Sequence, residues 1–440
     1  MELRPYQRDL VDRADAAFNS GGVRAVVLAS PTGSGKTATA SEIIRRRVLA
    51  GRRVLFLAHL DALLEDTHGR LSAAGVWSSI FQAGRPTQPL APVQVCSLQT
   101  LHARGERPPA DFLILDEAHH GLARTVRELV DAYSSVPLLG LTATPQRGDG
   151  RPLGDLFERL IVGPSVAELT AQGYLVPCDV VAPLAPIDGA LAMDPVAAWF
   201  EHTPNARAIV FAKTVRHAES ITEDFAARGV PAECITGHTS RAIRSGLRAR
   251  LESGKVRVLV SVAVFLEGFD APCIESVILA RTFGTCGSYL QAIGRGLRPS
   301  PSTGKTRCTV IDLCGGVHWH GLPDDERAWD LHGDAVRRAP ESLLPLRRCR
   351  DCLAMFRPAV RCPRCGADAS TAAPMPRVLT KTEKLHRISE LSQVERDQRY
   401  LAKLEWIARS RLRLPPEAAK TWATKRFIVQ RKRTPAQEAA

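Results

Sequence analysis

The chain has 440 residues, more than one hydrophobic core ordinarily serves, so two sizeable domains and something smaller are expected. A composition of 45% hydrophobic and 24% charged residues excludes global disorder, and a formal net charge of +13 suits a polyanionic partner, nucleic acid first among them. No apolar run approaches the roughly 20 residues of a membrane-spanning helix, and the start MELRPYQRDL lacks an apolar signal core, so a cytoplasmic protein without a membrane partner is expected.

Short apolar runs alternate with longer helical patterns as far as about residue 313, as in a parallel sheet flanked by helices. In the first half the runs are AVVLAS (25–30), VLFLA (54–58), VQVCS (93–97), DFLILDE (111–117) and LLGLTAT (138–144), each read as a buried strand. Pro177, Pro183, Pro186 and Pro195 then break up any long element, which places a linker at 171–200 after a first lobe at 1–170. The pattern resumes with AIVFA (208–212), ECITG (233–237), VRVLVSV (256–262), SVILA (276–280) and CTVIDL (308–313), a second lobe at 201–340. A four-cysteine module at 345–368 and a basic tail at 377–440 follow. The tail carries 16 Lys+Arg against 7 Asp+Glu, and Leu385, Ile388, Leu391, Leu401, Leu404 and Ile407 at near-helical spacing predict a helical tail.

SPTGSGKT, comprising Ser30, Pro31, Thr32, Gly33, Ser34, Gly35, Lys36 and Thr37, lies between a strand and a helical run, the setting of a phosphate-binding loop. The glycines let backbone N–H groups approach phosphate oxygens, Lys36 reaches the β and γ oxygens, and Thr37 offers a hydroxyl to magnesium. DFLILDEAHH supplies the carboxylates such a site needs at a neighbouring strand end: Asp116 for the metal, and Glu117 to orient or deprotonate the attacking water. His119 would couple this site to the next strand.

The phosphate loop, DEAH and GLTATP (140–145), in this order, resemble the first lobe of superfamily 2 helicases. The resemblance implies two tandem RecA-like lobes and makes Thr142 and Thr144 coupling residues. LRPYQRDL (3–10) is similar to the family's adenine-side motif, with Arg4 and Gln7 as base contacts. VLVSVAVFLEGFDAP (258–272) resembles an interlobe motif in which Gly268 and Asp270 face ribose or nucleic-acid backbone. QAIGRGLRPS (291–300) resembles the arginine-finger motif, giving Gln291, Arg295 and Arg298 as catalytic groups delivered by the second lobe to the charge that develops on the γ-phosphate. Backbone contacts to nucleic acid are implied for Gln99 and Thr100 in the first lobe and for Lys213 and Thr214 in the second. Past residue 313 the likeness narrows to bacterial and phage helicases similar to RadD.

CRDC (349–352) and CPRCG (362–366) are two cysteine knuckles, so Cys349, Cys352, Cys362 and Cys365 are expected to hold a structural zinc in a small ribbon, with the other cysteines reduced. The sequence therefore predicts an α/β protein of two P-loop-type lobes with parallel sheets, plus a zinc ribbon and a helical basic tail, using ATP, magnesium and zinc. The function it implies is ATP-driven helicase or translocase work on nucleic acid, DNA before RNA, in repair, recombination or replication. A repair or replication protein is an expected partner of the ribbon or tail. A restriction-system motor subunit, an RNA helicase and an ATP-gated clamp remain open.

Overall fold

The computed structural model describes residues 3–332 apart from 21, 60, 121–123, 147–151, 184–186, 188–189, 237–238, 240–245, 263–269 and 328. Beyond these it describes 347–348, 355–356, 361, 377–378, 386–387, 398, 400–402, 404–405, 408–409 and 414–431.

Helix α1 (Pro5–Asn19) opens the chain with proline at its first position, where a missing N–H costs no helical bond. The first lobe is a parallel sheet of β1 (Ala25–Ala29), β2 (Val54–Ala58), β3 (Ser78–Phe81), β4 (Val93–Ser97), β5 (Phe112–Leu115), β6 (Leu138–Thr142) and β7 (Arg159–Val162), in the order β3-β4-β2-β5-β6-β1-β7. Helices α2 (Lys36–Leu49), α3 (Asp61–Ala73), α4 (Leu98–Arg104) and α5 (Arg124–Asp131) connect these strands. Strands β1, β2, β4, β5 and β6 are buried along their whole length, which is why they read as continuous apolar runs. The loops after β1 and β5, at the carboxyl ends of strands separated only by β6, hold the phosphate loop and the DEAH residues.

Helix α6 (Val166–Ala171) leads to the second sheet. Its strands are β8 (Cys178–Ala182), β10 (Ala208–Ala212), β11 (Ala232–Ile235), β12 (Val258–Ser261), β13 (Ser276–Ala280) and β14 (Cys308–Asp312), in the order β11-β12-β10-β13-β14-β8, all parallel. A short strand β9 (Ala190–Leu191) lies outside this sheet. Helices α7 (Pro195–His202), α8 (Val215–Ala227), α9 (Leu247–Glu252), α10 (Cys286–Gly294) and α11 (Val317–His320) complete the lobe among the described residues.

The stretch expected to be a linker is therefore largely part of the second lobe. β8 pairs with β14, and α7 buries Trp199 in the second core. The prolines read as breakers sit at element edges: Pro177 just before β8, Pro183 just after it, and Pro195 at the first turn of α7, where Asp194 accepts the Ala197 N–H. The tail is also not helical throughout. In the four-cysteine stretch Arg347–Arg348 (β15) pairs with Met355–Phe356 (β16); in the tail Arg377–Val378 (β17) pairs with β9, and His386–Arg387 (β18) adds an antiparallel edge strand to β8. Helix α12 (Pro416–Arg431) follows.

A continuous apolar cluster runs from α1 and the first sheet through Leu169, Leu175 and Val176 into the second sheet. Each fully buried Leu or Val contributes roughly 1.5–3 kcal/mol, so the connection welds the lobes on this side. After α11 the chain returns to the first lobe, where Gly154 N–H donates to Leu331 O at 2.8 Å. Cys96, Cys178, Cys234, Cys273, Cys286, Cys308 and Cys314 are free thiols.

Candidate active site between the lobes

The phosphate loop is shaped by two glycines at positive φ, Gly33 (93°) and Gly35 (84°), and Gly35 caps α2. Ser30, standing where a glycine is usual in such loops, donates its hydroxyl to Ser34 Oγ at 2.7 Å and braces the turn. Lys36 Nζ donates to Ser30 O at 3.1 Å across the loop. Burial pulls the Lys36 ammonium below the ordinary lysine range, with Arg295 and Arg298 adding to the effect and Glu117 and Asp116 opposing it. Lys36, Asp116, Glu117, Arg295 and Arg298, from distant parts of the chain, therefore share one electrostatic site.

Asp116 and Glu117 follow β5 and are both buried. Glu117 takes φ of 49°, a left-handed conformation that a side chain adopts at a cost of order 1 kcal/mol, as functional strand ends often do. The Glu117 N–H donates to Asp116 Oδ1 at 3.0 Å. His119 Nδ1 lies 3.3 Å from Glu117 Oε2 and 3.2 Å from Thr142 Oγ1. Thr142 Oγ1 donates in turn to Thr144 O at 2.8 Å. The DEAH carboxylate and the TAT segment are thus physically connected through His119.

The second lobe reaches this site through α10, whose N-terminus is capped by Thr285. Gln291 Nε2 donates to Glu117 Oε2 at 3.2 Å across the lobe boundary. A Cβ at Gly287 would lie 2.6 Å from Thr144 Oγ1, and one at Gly294 would overlap Thr32 Cβ. Positions 287, 291 and 294 share one helix face, so two glycines let the helix approach the first lobe while Gln291 spans the gap. Arg295 caps α10 and is buried. Arg298 lays its stem against Gly33, with Cγ 3.2 Å from where a Cβ would be, and its guanidinium forms an ion pair with Asp270. Lys305 ties the turn between the arginines to the strand-end loop, donating to Gly296 O at 2.6 Å and Pro272 O at 2.9 Å.

At the base side, Gln7 has both ends of its amide engaged. Its Oε1 accepts Arg4 N–H at 3.0 Å and its Nε2 donates to Ser34 O at 3.0 Å. Tyr6 donates its hydroxyl to the same Ser34 carbonyl. The Arg4 guanidinium stands 4.5 Å above the Tyr174 ring.

Other expected contacts serve local structure. Gln99 donates to His59 O at 2.9 Å, and Thr100 Oγ1 accepts Ala83 N–H at 3.2 Å. Thr214 caps α8 by accepting His217 N–H at 3.2 Å, and Lys213 N–H donates to His217 Nδ1 at 3.3 Å. Gly268, Cys349, Cys352, Cys362 and Cys365 lie outside the described residues. Sequence reasoning missed Tyr6, Tyr174, Leu175, Gly287, Gly294 and Lys305. Only the Gly-x3-Gln-x2-Gly spacing of α10 offered a signal.

A phosphate loop, an acidic strand end beside it and basic groups delivered by an opposing sheet define a two-lobed P-loop ATPase. Residues 1–147 match the family model "Type III restriction enzyme, res subunit", and residues 192–300 match "Helicase conserved C-terminal domain". A 51.5 kDa protein of a Lactococcus phage (isolate 7-9) is 29% identical over 84% of this chain and 83% of its own length. The Schizosaccharomyces pombe protein named mitochondrial ATP-dependent helicase irc3 is 28% identical over 76% of this chain, which spans 61% of that protein. In fold, the chain is similar to a fragment of an HsdR subunit of a type I restriction enzyme from Vibrio vulnificus, with a TM-score of 0.60 and 22% identity over 73% of this chain and 66% of that one. The chain carries the paired lobes of a superfamily 2 helicase and is an ATP hydrolase of that class. Among the described residues no helix is long and apolar enough to cross a membrane.

Proposed function

We propose that this ATPase is a DNA-stimulated translocase that closes its lobes on ATP and magnesium, hydrolyses ATP, and steps along or remodels DNA. The observation that carries the reading is the bond from Gln291 of the second lobe to Glu117 of the first, beside Lys36 and the two arginines. The backbone N–H groups of the glycine loop and Lys36 suit a triphosphate, and Thr37 with Asp116 suits a magnesium ion, which would neutralise phosphate charge. Glu117, aimed by Gln291 and His119, holds the attacking water and takes its proton. Arg295 and Arg298 meet the negative charge that develops on the transferred phosphoryl group. Gly268 and Asp270 would then answer to nucleotide or nucleic-acid backbone, with Asp270 holding Arg298 until the substrate is in place.

DNA is chosen over RNA from the likeness to RadD-type helicases and from the match to a restriction-enzyme subunit model. That match also favours a second reading, the motor subunit of a restriction system, in which cleavage belongs to a partner. The zinc ribbon rests on the spacing of Cys349, Cys352, Cys362 and Cys365; one zinc per full-length chain, lost on replacing two of these cysteines by serine, is the expected result. A role in repair, recombination or replication, and a protein partner for ribbon or tail, follow from the same resemblance. The deciding experiment measures ATP turnover with single-stranded, duplex and forked DNA and with RNA, together with triplex displacement. Stimulation by DNA with displacement is expected. Stimulation by RNA alone contradicts the substrate choice, and stimulation without displacement points to an ATP-gated clamp.

A further inference from the structure

Cys178 of β8 and Cys308 of β14 are direct partners in the register of the second sheet. Side chains at paired positions of parallel neighbours stand on one face, and both cysteines pack in the apolar cluster that holds Ile293 and Leu297. Adjacent strands lie about 4.7–4.9 Å apart, within the roughly 4.4–6.8 Å between Cα atoms that a disulfide spans. The two thiols are already hydrogen-bonded, Cys178 donating to Cys308.

Their surroundings differ. Cys308 is fully buried, whereas Cys178 is partly exposed. Strand β18 pairs with Val181 and Ala182, so among the described residues the Cys178 end of β8 is the open edge of the sheet. The bond from Cys178 holds the Cys308 thiol below the ordinary thiol range; burial opposes this, and the Lys305 ammonium assists it. A thiolate steadied by a second thiol and a buried ammonium, with one sulfur near the surface, is the setting of a redox-active pair.

The pair also lies against the arginine segment. Cys308 Sγ fills the space that a side chain at Gly296 would take, and Val277 of β13 borders the same space. Strand β13 flanks β14 on the side opposite to β8, so a sulfur drawn towards Cys178 is drawn away from Gly296. Gly296 stands between Arg295 and Arg298, and its carbonyl accepts Lys305 Nζ at 2.6 Å. The next carbonyl, Leu297 O, accepts the Val176 N–H at 2.8 Å, and Cys308 N–H donates to Pro177 O at 2.9 Å. An S–S bond of about 2.05 Å is far shorter than any non-bonded sulfur contact, and a packed interior passes such a shift to its neighbours.

We propose that Cys178 and Cys308 are a peroxide-sensitive pair whose reversible disulfide slows ATP hydrolysis by withdrawing the Cys308 sulfur from Gly296, between the two arginines. The shared proton passes to Cys308, and the Cys178 thiolate attacks one oxygen of the peroxide. The O–O bond breaks, leaving a sulfenic acid on Cys178 and a hydroxide that is protonated to water. Cys308 then attacks the Cys178 sulfur, the S–O bond breaks, and the departing hydroxide takes the Cys308 proton. Two thiols and one peroxide give one disulfide and two waters, and a dithiol reductant restores the thiols. The effect on turnover rests on the reading of Arg295 and Arg298 as groups that act on the phosphate; the bond itself does not.

The test treats the reduced full chain with hydrogen peroxide, maps disulfides by non-reducing proteolysis and mass spectrometry, and measures ATP turnover before treatment, after it, and after dithiothreitol. Cys178→Ala and Cys178→Ser are carried in parallel. A peptide linking Cys178 to Cys308 is expected, with kcat lowered by about fivefold or more and restored by dithiothreitol, while both variants keep kcat within about twofold under peroxide. Absence of the linked peptide overturns the proposal, as does a linked peptide with unchanged kcat. An equal loss in the variants would assign the effect to other thiols and overturn it too. Unaltered hydrolysis in Arg295→Ala and Arg298→Ala would instead remove the arginine reading beneath it, and the linked peptide is detected independently of that reading.

Discussion

Lys36 shows how the site prepares for a triphosphate. Desolvation between the lobes disfavours its ammonium form, and a bound polyphosphate favours it, so binding raises the Lys36 pKa from a lowered starting value. Above the free protein's Lys36 pKa the lysine must take up a proton to bind, and affinity falls as pH rises. Nucleotide titrations across the alkaline range should show this loss beginning at lower pH than an ordinary lysine would give. Affinity that stays flat until the ordinary lysine range contradicts it. Glu117 carries the second residue-scale prediction. Glu117→Gln keeps its shape but cannot take the proton of water, so turnover should fall by about 100-fold or more while nucleotide binding persists. Lys36→Ala should lose both, as parallel binding and turnover assays would show.

Among the elements, α10 is the most exposed to small changes. Gly294→Ala puts a methyl group into Thr32, and Gly287→Ala one against Thr144 Oγ1, so either substitution pushes the helix off the first lobe and draws Gln291 from Glu117. Each should lower kcat at least tenfold while the melting temperature changes little, because the clash is at the lobe boundary and not in either core. Gly296→Ala differs, since its methyl group would meet Cys308 Sγ and Val277 within the second lobe, and overpacking of that kind costs about 1–3 kcal/mol of stability. Thermal unfolding of the three variants separates the two outcomes.

The elements also show what a sequence makes legible. Strands buried on both faces announce themselves as unbroken apolar runs, and a loop such as SPTGSGKT is local, so the two sheets and the phosphate site could be read directly. Pro177 and Pro195 were misread because proline punctuates the edges of elements as well as the gaps between them. Thr214 and Thr100 also serve as cap and local acceptor, roles that hydroxyls near helix starts take on their own account and that a sequence does not separate from outward contacts. Tyr174 meets Arg4 and Gly294 meets Thr32 only after the chain has folded back on itself, and no local pattern encodes such pairs.

For the whole molecule, side chains of both lobes meet at one site. The first supplies Lys36, Asp116 and Glu117; the second brings Gln291 to Glu117 and sets Arg295 and Arg298 close enough to act on the Lys36 charge. The connection at Leu175 and Val176 joins them along one side, and the return of the chain from α11 to Gly154 joins them again. Under the proposed function hydrolysis depends on both lobes meeting at this site, as a motor that turns hydrolysis into movement requires. The most direct test is single-turnover hydrolysis of pre-bound ATP by Arg295→Ala and Arg298→Ala in the full chain. The account predicts nucleotide affinity within a few-fold of the unaltered protein and a hydrolysis rate lower by about 1,000-fold or more in at least one variant. Hydrolysis at the unaltered rate in both would show that the first lobe works alone and would contradict the shared site.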